Sequence, residues 1–136
     1  MAQIVPDICP REKEFGNLMK CVASELTSIV ADVDNYSTIL FGGSGTAAVE
    51  SILTSVVPFK KTILIINNGS YGQRMIEISK RFKIKHIEFK SSSIEPVDIK
   101  KLEEVLKSNN NISHLAIVHN ETTTGLLNNL DLFGDL

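Results

Sequence analysis

Apolar residues recur along the chain in distinct rhythms, and each rhythm predicts a different element. From about Pro10 to Val30 they fall at helical spacing, with Phe15, Leu18, Met19, Val22, Leu26 and Ile29 on one side of an amphipathic helix. Ala47, Ala48, Val49, Ile52, Leu53 and Val56 repeat that period, and so does Gly72 to Arg81, with Met75, Ile78 and Phe82 directed inward. Asp98 stands where a helix cap belongs, ahead of Ile99, Leu102, Val105 and Leu106. Between the helices the rhythm changes. Thr62 to Ile66 is a continuous apolar run, the sign of a strand buried on both faces of a mainly parallel sheet. Lys85, Ile87 and Phe89 alternate with His86 and Glu88 as in an edge-leaning strand, while Thr38 to Phe41 and His114 to Val118 supply further short strands. Helices alternating with strands in this way predict an α/β fold, a mainly parallel sheet flanked by helices.

The junction Phe41-Gly42-Gly43-Ser44-Gly45-Thr46-Ala47-Ala48 reads as strand, glycine turn and helix start in succession, a form suited to holding a phosphate. The first amides of a helix have no internal partner, and the macrodipole favours an anion there by about 0.3–1 kcal/mol. A nucleotide P-loop would place a lysine and then Ser or Thr after the second glycine, but Gly45 is followed by Thr46 and Ala47. Gly43-x-Gly45-x-x-Ala48 satisfies the relaxed dinucleotide pattern, yet the next strand ends in Asn67 and Asn68 with no acidic residue for a ribose hydroxyl. A compact phosphomonoester, held by backbone amides with the Ser44 and Thr46 hydroxyls, fits better. A glycine turn that only links a strand to a helix is the plain alternative.

Two later segments, Asn68-Gly69-Ser70-Tyr71-Gly72-Gln73-Arg74-Met75 and His119-Asn120-Glu121-Thr122-Thr123-Thr124-Gly125, join the loop in an ordered set. With the opening Val5 to Gly16, the set resembles the class V (fold type I) pyridoxal-phosphate aminotransferases, within them the branch whose amino donor is 2-aminoethylphosphonate and whose acceptor is pyruvate. The resemblance covers nearly all of residues 1–136, which read as a single, incomplete large domain. It implies pyridoxal 5'-phosphate as cofactor, Ser44, Gly45 and Thr46 on its phosphate, Tyr71 stacked on the pyridine face and Thr122 bonded to ring substituents. It also implies a homodimer. Alanine–glyoxylate and serine–glyoxylate enzymes share the architecture; Tyr71 favours the phosphonate branch, because relatives often carry Trp there. His119 is left out of the site.

In that family the lysine that bonds the cofactor covalently and the carboxylate that keeps the pyridine nitrogen protonated come after the Thr-Gly segment. Neither role is assignable here, so the chain is expected to be a truncated piece without catalytic residues of its own. A non-catalytic α/β remnant is the rival description. Composition adds exclusions. A formal net charge of −2 gives no footprint for nucleic acid or an anionic membrane, although Lys80 to Lys85 is locally basic. Cys9 and Cys21 lack metal-ligand spacing, and there is no signal peptide or apolar run of membrane length. A cytoplasmic setting is expected.

Overall fold

The computed structural model describes residues 7–134 and 136. Val5 and Pro6 of the opening segment lie outside the described residues. The chain divides into two compact units, Met1–Gly42 and Gly43–Leu136.

In the first unit α1 spans Lys13–Val30, starting three residues later than the apolar rhythm suggests. Its apolar stripe is largely open: Leu18, Val22, Leu26 and Ile29 are all exposed, and Thr27 is its buried residue. Thr27 is held by hydroxyl chemistry. Its Oγ1 donates to the Ala23 carbonyl at 2.8 Å, lies 2.8 Å from Thr38 Oγ1 and accepts the Thr38 amide at 3.0 Å. The expected strand at Thr38–Phe41 does not form. The Thr38 amide bonds a side chain instead of a neighbouring strand, and Ile39 and Phe41 are exposed. An extended segment becomes a strand only when a ladder partner takes its backbone groups.

The second unit contains a three-stranded parallel sheet of order β2-β1-β3, with β1 at Thr62–Asn67, β2 at His86–Lys90 and β3 at Ile112–Ala116. β1 is the centre. Ile63, Leu64, Ile65 and Ile66 are at most 2% exposed, as the unbroken apolar run requires. Their alternation divides the core. Ile63 and Ile65 pack with Leu53 of α2 (Gly45–Val56) and with Met75, Ile76 and Ile78 of α3 (Ser70–Arg81). Leu64 and Ile66 pack with Leu102 of α4 (Ile99–Lys107) and with Val97. Each of these side chains contributes on the order of 2 kcal/mol by leaving water. As expected, Asp98 caps α4, accepting the Lys101 amide at 3.2 Å. Phe82 departs from expectation: it is 45% exposed, because it is the C-cap of α3 rather than a member of its buried face. Beyond β3 the chain makes a small antiparallel hairpin, β4 (Asn120–Glu121) with β5 (Leu126–Leu127), and a one-turn α5 at Asp131–Gly134. No helix among the described residues is long and apolar enough to cross a membrane.

Candidate functional site

Within the second unit a cavity of about 540 Å³ opens where the starts of α2 and α3 meet the segment after β3. All five residues singled out in the sequence line it: Ser44, Gly45, Thr46, Tyr71 and Thr122. Its apolar surface comes from Val49, Met75, Ile117 and Val118.

The α2 wall is backbone and hydroxyl. Ser44 is the N-cap in extended conformation, and its Oγ accepts the Ala47 amide at 3.3 Å. That bond uses an acceptor lone pair of the hydroxyl and leaves its O–H free to donate. The Ser44 carbonyl takes the Ala48 amide at 3.2 Å. The amides of Gly45 and Thr46 precede the first helical bond and have no acceptor among the described residues. A Cβ added at Gly45 would meet nothing within 4 Å, so the opening at this end is not filled by the protein itself.

The second wall is the start of α3 with the hairpin. Tyr71 is 38% exposed, and its hydroxyl lies 3.2 Å from Thr122 Oγ1. Arg74, one helical turn on, sits with its guanidinium carbon 5.5 Å from the Tyr71 ring centroid, a cation–π distance. Its Nη1 also donates to Thr46 Oγ1 at 3.2 Å, which links the two walls. The Thr46 hydroxyl accepts that bond and keeps its own proton to donate. Arg74 makes no ion pair among the described residues, so its charge is directed by an aromatic face and a hydroxyl alone.

Arg74 and Asn120, which stand within the sequence motifs but not among the expected site residues, also line the cavity. The i, i+3 spacing of Tyr71 and Arg74 on a helix was the available signal for Arg74. Glu121 was missed too. It is fully buried behind the cavity wall. Burial, the largest single influence, pushes its pKa up, but hydrogen bonds from the Thr123 hydroxyl and from the Tyr71 and Thr123 amides together outweigh it and hold the carboxyl below its ordinary value. His119 does not line this cavity. Taken together, the arrangement offers bare amides, two hydroxyl donors and a cation at one end, and an aromatic face with a threonine at the other: equipment for an anion attached to a flat ring.

No family model matches the chain. Over 136 residues it is 38% identical to the bifunctional phosphonoacetaldehyde hydrolase/aminoethylphosphonate transaminase of Clostridioides difficile (strain 630), aligning 99% of this chain with 21% of that protein. It is 35% identical over 123 residues to the 2-aminoethylphosphonate–pyruvate transaminase of Bacillus cytotoxicus (90% of this chain, 34% of that protein). The Bacillus cereus transaminase of the same name is 33% identical over 126 residues (92% and 37%). Among solved structures, the alanine–glyoxylate aminotransferase of Nostoc sp. superposes with a TM-score of 0.83 at 26% identity, covering 98% of this chain and 36% of that one. The aspartate aminotransferase of Thermus thermophilus gives the same score at 18% identity, over 98% and 36%, and speaks for the fold alone. The chain thus spans between a fifth and just over a third of the length of these curated relatives. By its three ordered motifs, by their convergence on one cavity and by these likenesses, the chain matches part of the class V, fold type I pyridoxal-phosphate aminotransferases.

Proposed function

We propose that this chain forms the cofactor-holding part of an aminotransferase that moves the amino group of 2-aminoethylphosphonate to pyruvate, giving phosphonoacetaldehyde and alanine. The observation that carries this reading is the meeting of the α2 amides, Arg74 and the Tyr71–Thr122 pair in one cavity. Pyridoxal 5'-phosphate fits that donor set. Its phosphate dianion suits the Gly45 and Thr46 amides, the Ser44 and Thr46 hydroxyls and the Arg74 guanidinium, each charge-assisted bond contributing about 1.5–3 kcal/mol. Its ring suits the Tyr71 face, a contact of about 0.5–1.5 kcal/mol beyond area burial, with Thr122 within reach of a ring substituent. When bound, the cofactor supplies the electron sink that lets an amino group leave one carbon skeleton and join another. The residues of this chain anchor and orient it.

The family's covalent lysine and pyridine-nitrogen carboxylate have no counterpart assigned among these residues, so the isolated chain is an anchoring module without turnover. It works in the cytoplasm, where the exposed, unbridged Cys9 and Cys21 stay reduced. It also self-associates, as expected of a member of a homodimeric family whose second unit exposes Ile52, Phe59 and Phe82. A coupled assay for alanine formation with 2-aminoethylphosphonate, pyruvate and pyridoxal 5'-phosphate is the test. The expected result is saturable cofactor uptake by the chain with alanine formation no faster than the free cofactor gives. Absence of saturable uptake would contradict the anchoring role, and turnover above that rate would contradict the absence of catalytic residues.

A further inference from the structure

The aromatic and hydroxyl wall of the cavity is only as well placed as the residues behind it, and one buried carboxylate stands behind both of its parts. Glu121 Oε2 accepts the Tyr71 amide at 3.2 Å. Its Oε1 accepts the Thr123 amide at 3.2 Å and the Thr123 hydroxyl at 2.6 Å. Tyr71 belongs to the first turn of α3, where the N-cap, Gly69, has no side chain to offer an orphan amide. The hairpin therefore supplies the cap from 50 residues away, with a negative charge that the helix dipole favours. Gly69 makes room for it. A Cβ there would lie 2.6 Å from both Cγ and Cδ of Glu121 and would overlap its carboxylate oxygen. The backbone of Gly69 is extended, so the glycine answers a need for space rather than for an unusual dihedral. No cation pairs with Glu121 among the described residues; N–H and O–H donors hold the charge. The next residue, Thr122, carries the hydroxyl that meets Tyr71.

We infer that Glu121 is a positioning residue of the cofactor site: it caps α3 from the hairpin and so fixes the Tyr71 ring against the Thr122 hydroxyl, in space that Gly69 leaves open. An uncompensated buried carboxylate is costly, and this one is compensated by the very groups whose placement the site needs. The inference rests on the cofactor reading of the cavity for its function, but the geometry it asserts can be tested without cofactor.

Two readouts separate these. In the 136-residue chain, the cross-relaxation between the Tyr71 ring and the Thr122 methyl reports the wall, and pyridoxal 5'-phosphate titration followed by absorbance reports the site. Glu121→Gln keeps volume and one carbonyl acceptor but turns an amide hydrogen toward a donor. It is expected to weaken the Tyr71–Thr122 signal and raise the dissociation constant about tenfold, the loss of roughly one charge-assisted bond. Gly69→Ala is expected to do the same, and Gly69→Ala with Glu121→Ala to recover melting temperature over Gly69→Ala alone without recovering the signal. A clamp that only stabilises the fold would lower the melting temperature of Glu121→Gln and leave signal and affinity unchanged, which overturns the inference. If the carboxamide variant does not fold, Thr123→Val, which removes one donor and keeps the carboxylate, decides by the same signal. If the unaltered chain takes up no pyridoxal 5'-phosphate, the cofactor reading fails while the ring–methyl signal still decides the role of Glu121.

Discussion

At the start of α2 the chain leaves the amides of Gly45 and Thr46 open to a cavity, whereas at the start of α3 it brings its own Glu121 onto the Tyr71 amide. Both are N-termini with orphan donors and a positive dipole end. Both carry glycine, and the glycines of the two starts have opposite surroundings. Around Gly45 an added Cβ meets nothing, while at Gly69 it meets Glu121 and at Gly72 it meets the backbone of β1, 2.8 Å from the Ile66 carbonyl oxygen and 2.9 Å from Asn67 Cα. One helix start is left open by the protein, as the proposed anchoring of an anion requires. The other is closed from inside by the carboxylate of Glu121.

The sharpest way to break that contrast is to fill each glycine and read stability and binding separately. Gly72→Ala pushes a methyl into backbone that has nowhere to go, and Gly69→Ala displaces a pinned carboxylate. Each should lower stability by about 3 kcal/mol, visible as a fall of roughly 10 °C in melting temperature. Gly45→Val should change stability by no more than about 0.5 kcal/mol, because it adds a β-branched residue to a first helical turn with open space around it. Its expected cost is in ligand: at least a tenfold weaker affinity for pyridoxal 5'-phosphate, since the loss of even one charge-assisted amide bond is worth about 1.5 kcal/mol. A Gly45 variant that melts early yet binds normally would invert the comparison.

Acid sharpens the same contrast at the closed end. Because Glu121 ionises in the fold below its ordinary value of 4.5, the stability it contributes is present above that value and is lost as pH falls through the lower folded one. Asp32 and Asp98 shift the same way, each through a backbone hydrogen bond first, so the wild type alone does not isolate Glu121. Comparing it with Glu121→Gln in thermal melts from pH 6 to pH 3 does. The variant is expected to start lower and lose less over this range, and parallel losses in both proteins would show that Glu121 is not the charged cap.

The smallest expected effect lies at the far end of α3. Lys83 adopts φ 56°, the left-handed position that closes the helix, and the Ile84 amide bonds the Ser79 carbonyl at 2.8 Å across it. Lys83→Gly should stabilise the chain by about 0.5–1 kcal/mol without altering cofactor affinity, because the strain relieved there is remote from both helix starts. Denaturant midpoints measure it.

Much of this was legible in the chain because local pattern and tertiary fold agree. The apolar run of β1, the Asp98 cap and the glycine loop before α2 each state their element without help from distant residues. Thr38 to Phe41 misleads for the converse reason: β-branched and apolar residues favour a strand, but the ladder partner is a property of the fold, and Thr38 bonds Thr27 instead. The hairpin at Asn120 to Leu127 escapes periodicity because its strands are two residues each, around a polar turn with Gly125 at φ 78°. Of the site, the five residues carried by motif converge on one cavity. Glu121 could not be read, since a carboxylate in a threonine-rich stretch looks solvated until the amide it caps, 50 positions earlier, is brought beside it.

Inorganic phosphate, which has no ring to stack, isolates the central contrast. Titrated into the ¹⁵N-labelled chain and followed by amide chemical shifts, it is expected to move Gly45 and Thr46 saturably while Tyr71 and Thr123, whose amides already bond Glu121, stay in place. Saturable shifts at Tyr71 and Thr123 with none at Gly45 and Thr46 would contradict the account, because the anion would then be entering at the helix start that Glu121 closes.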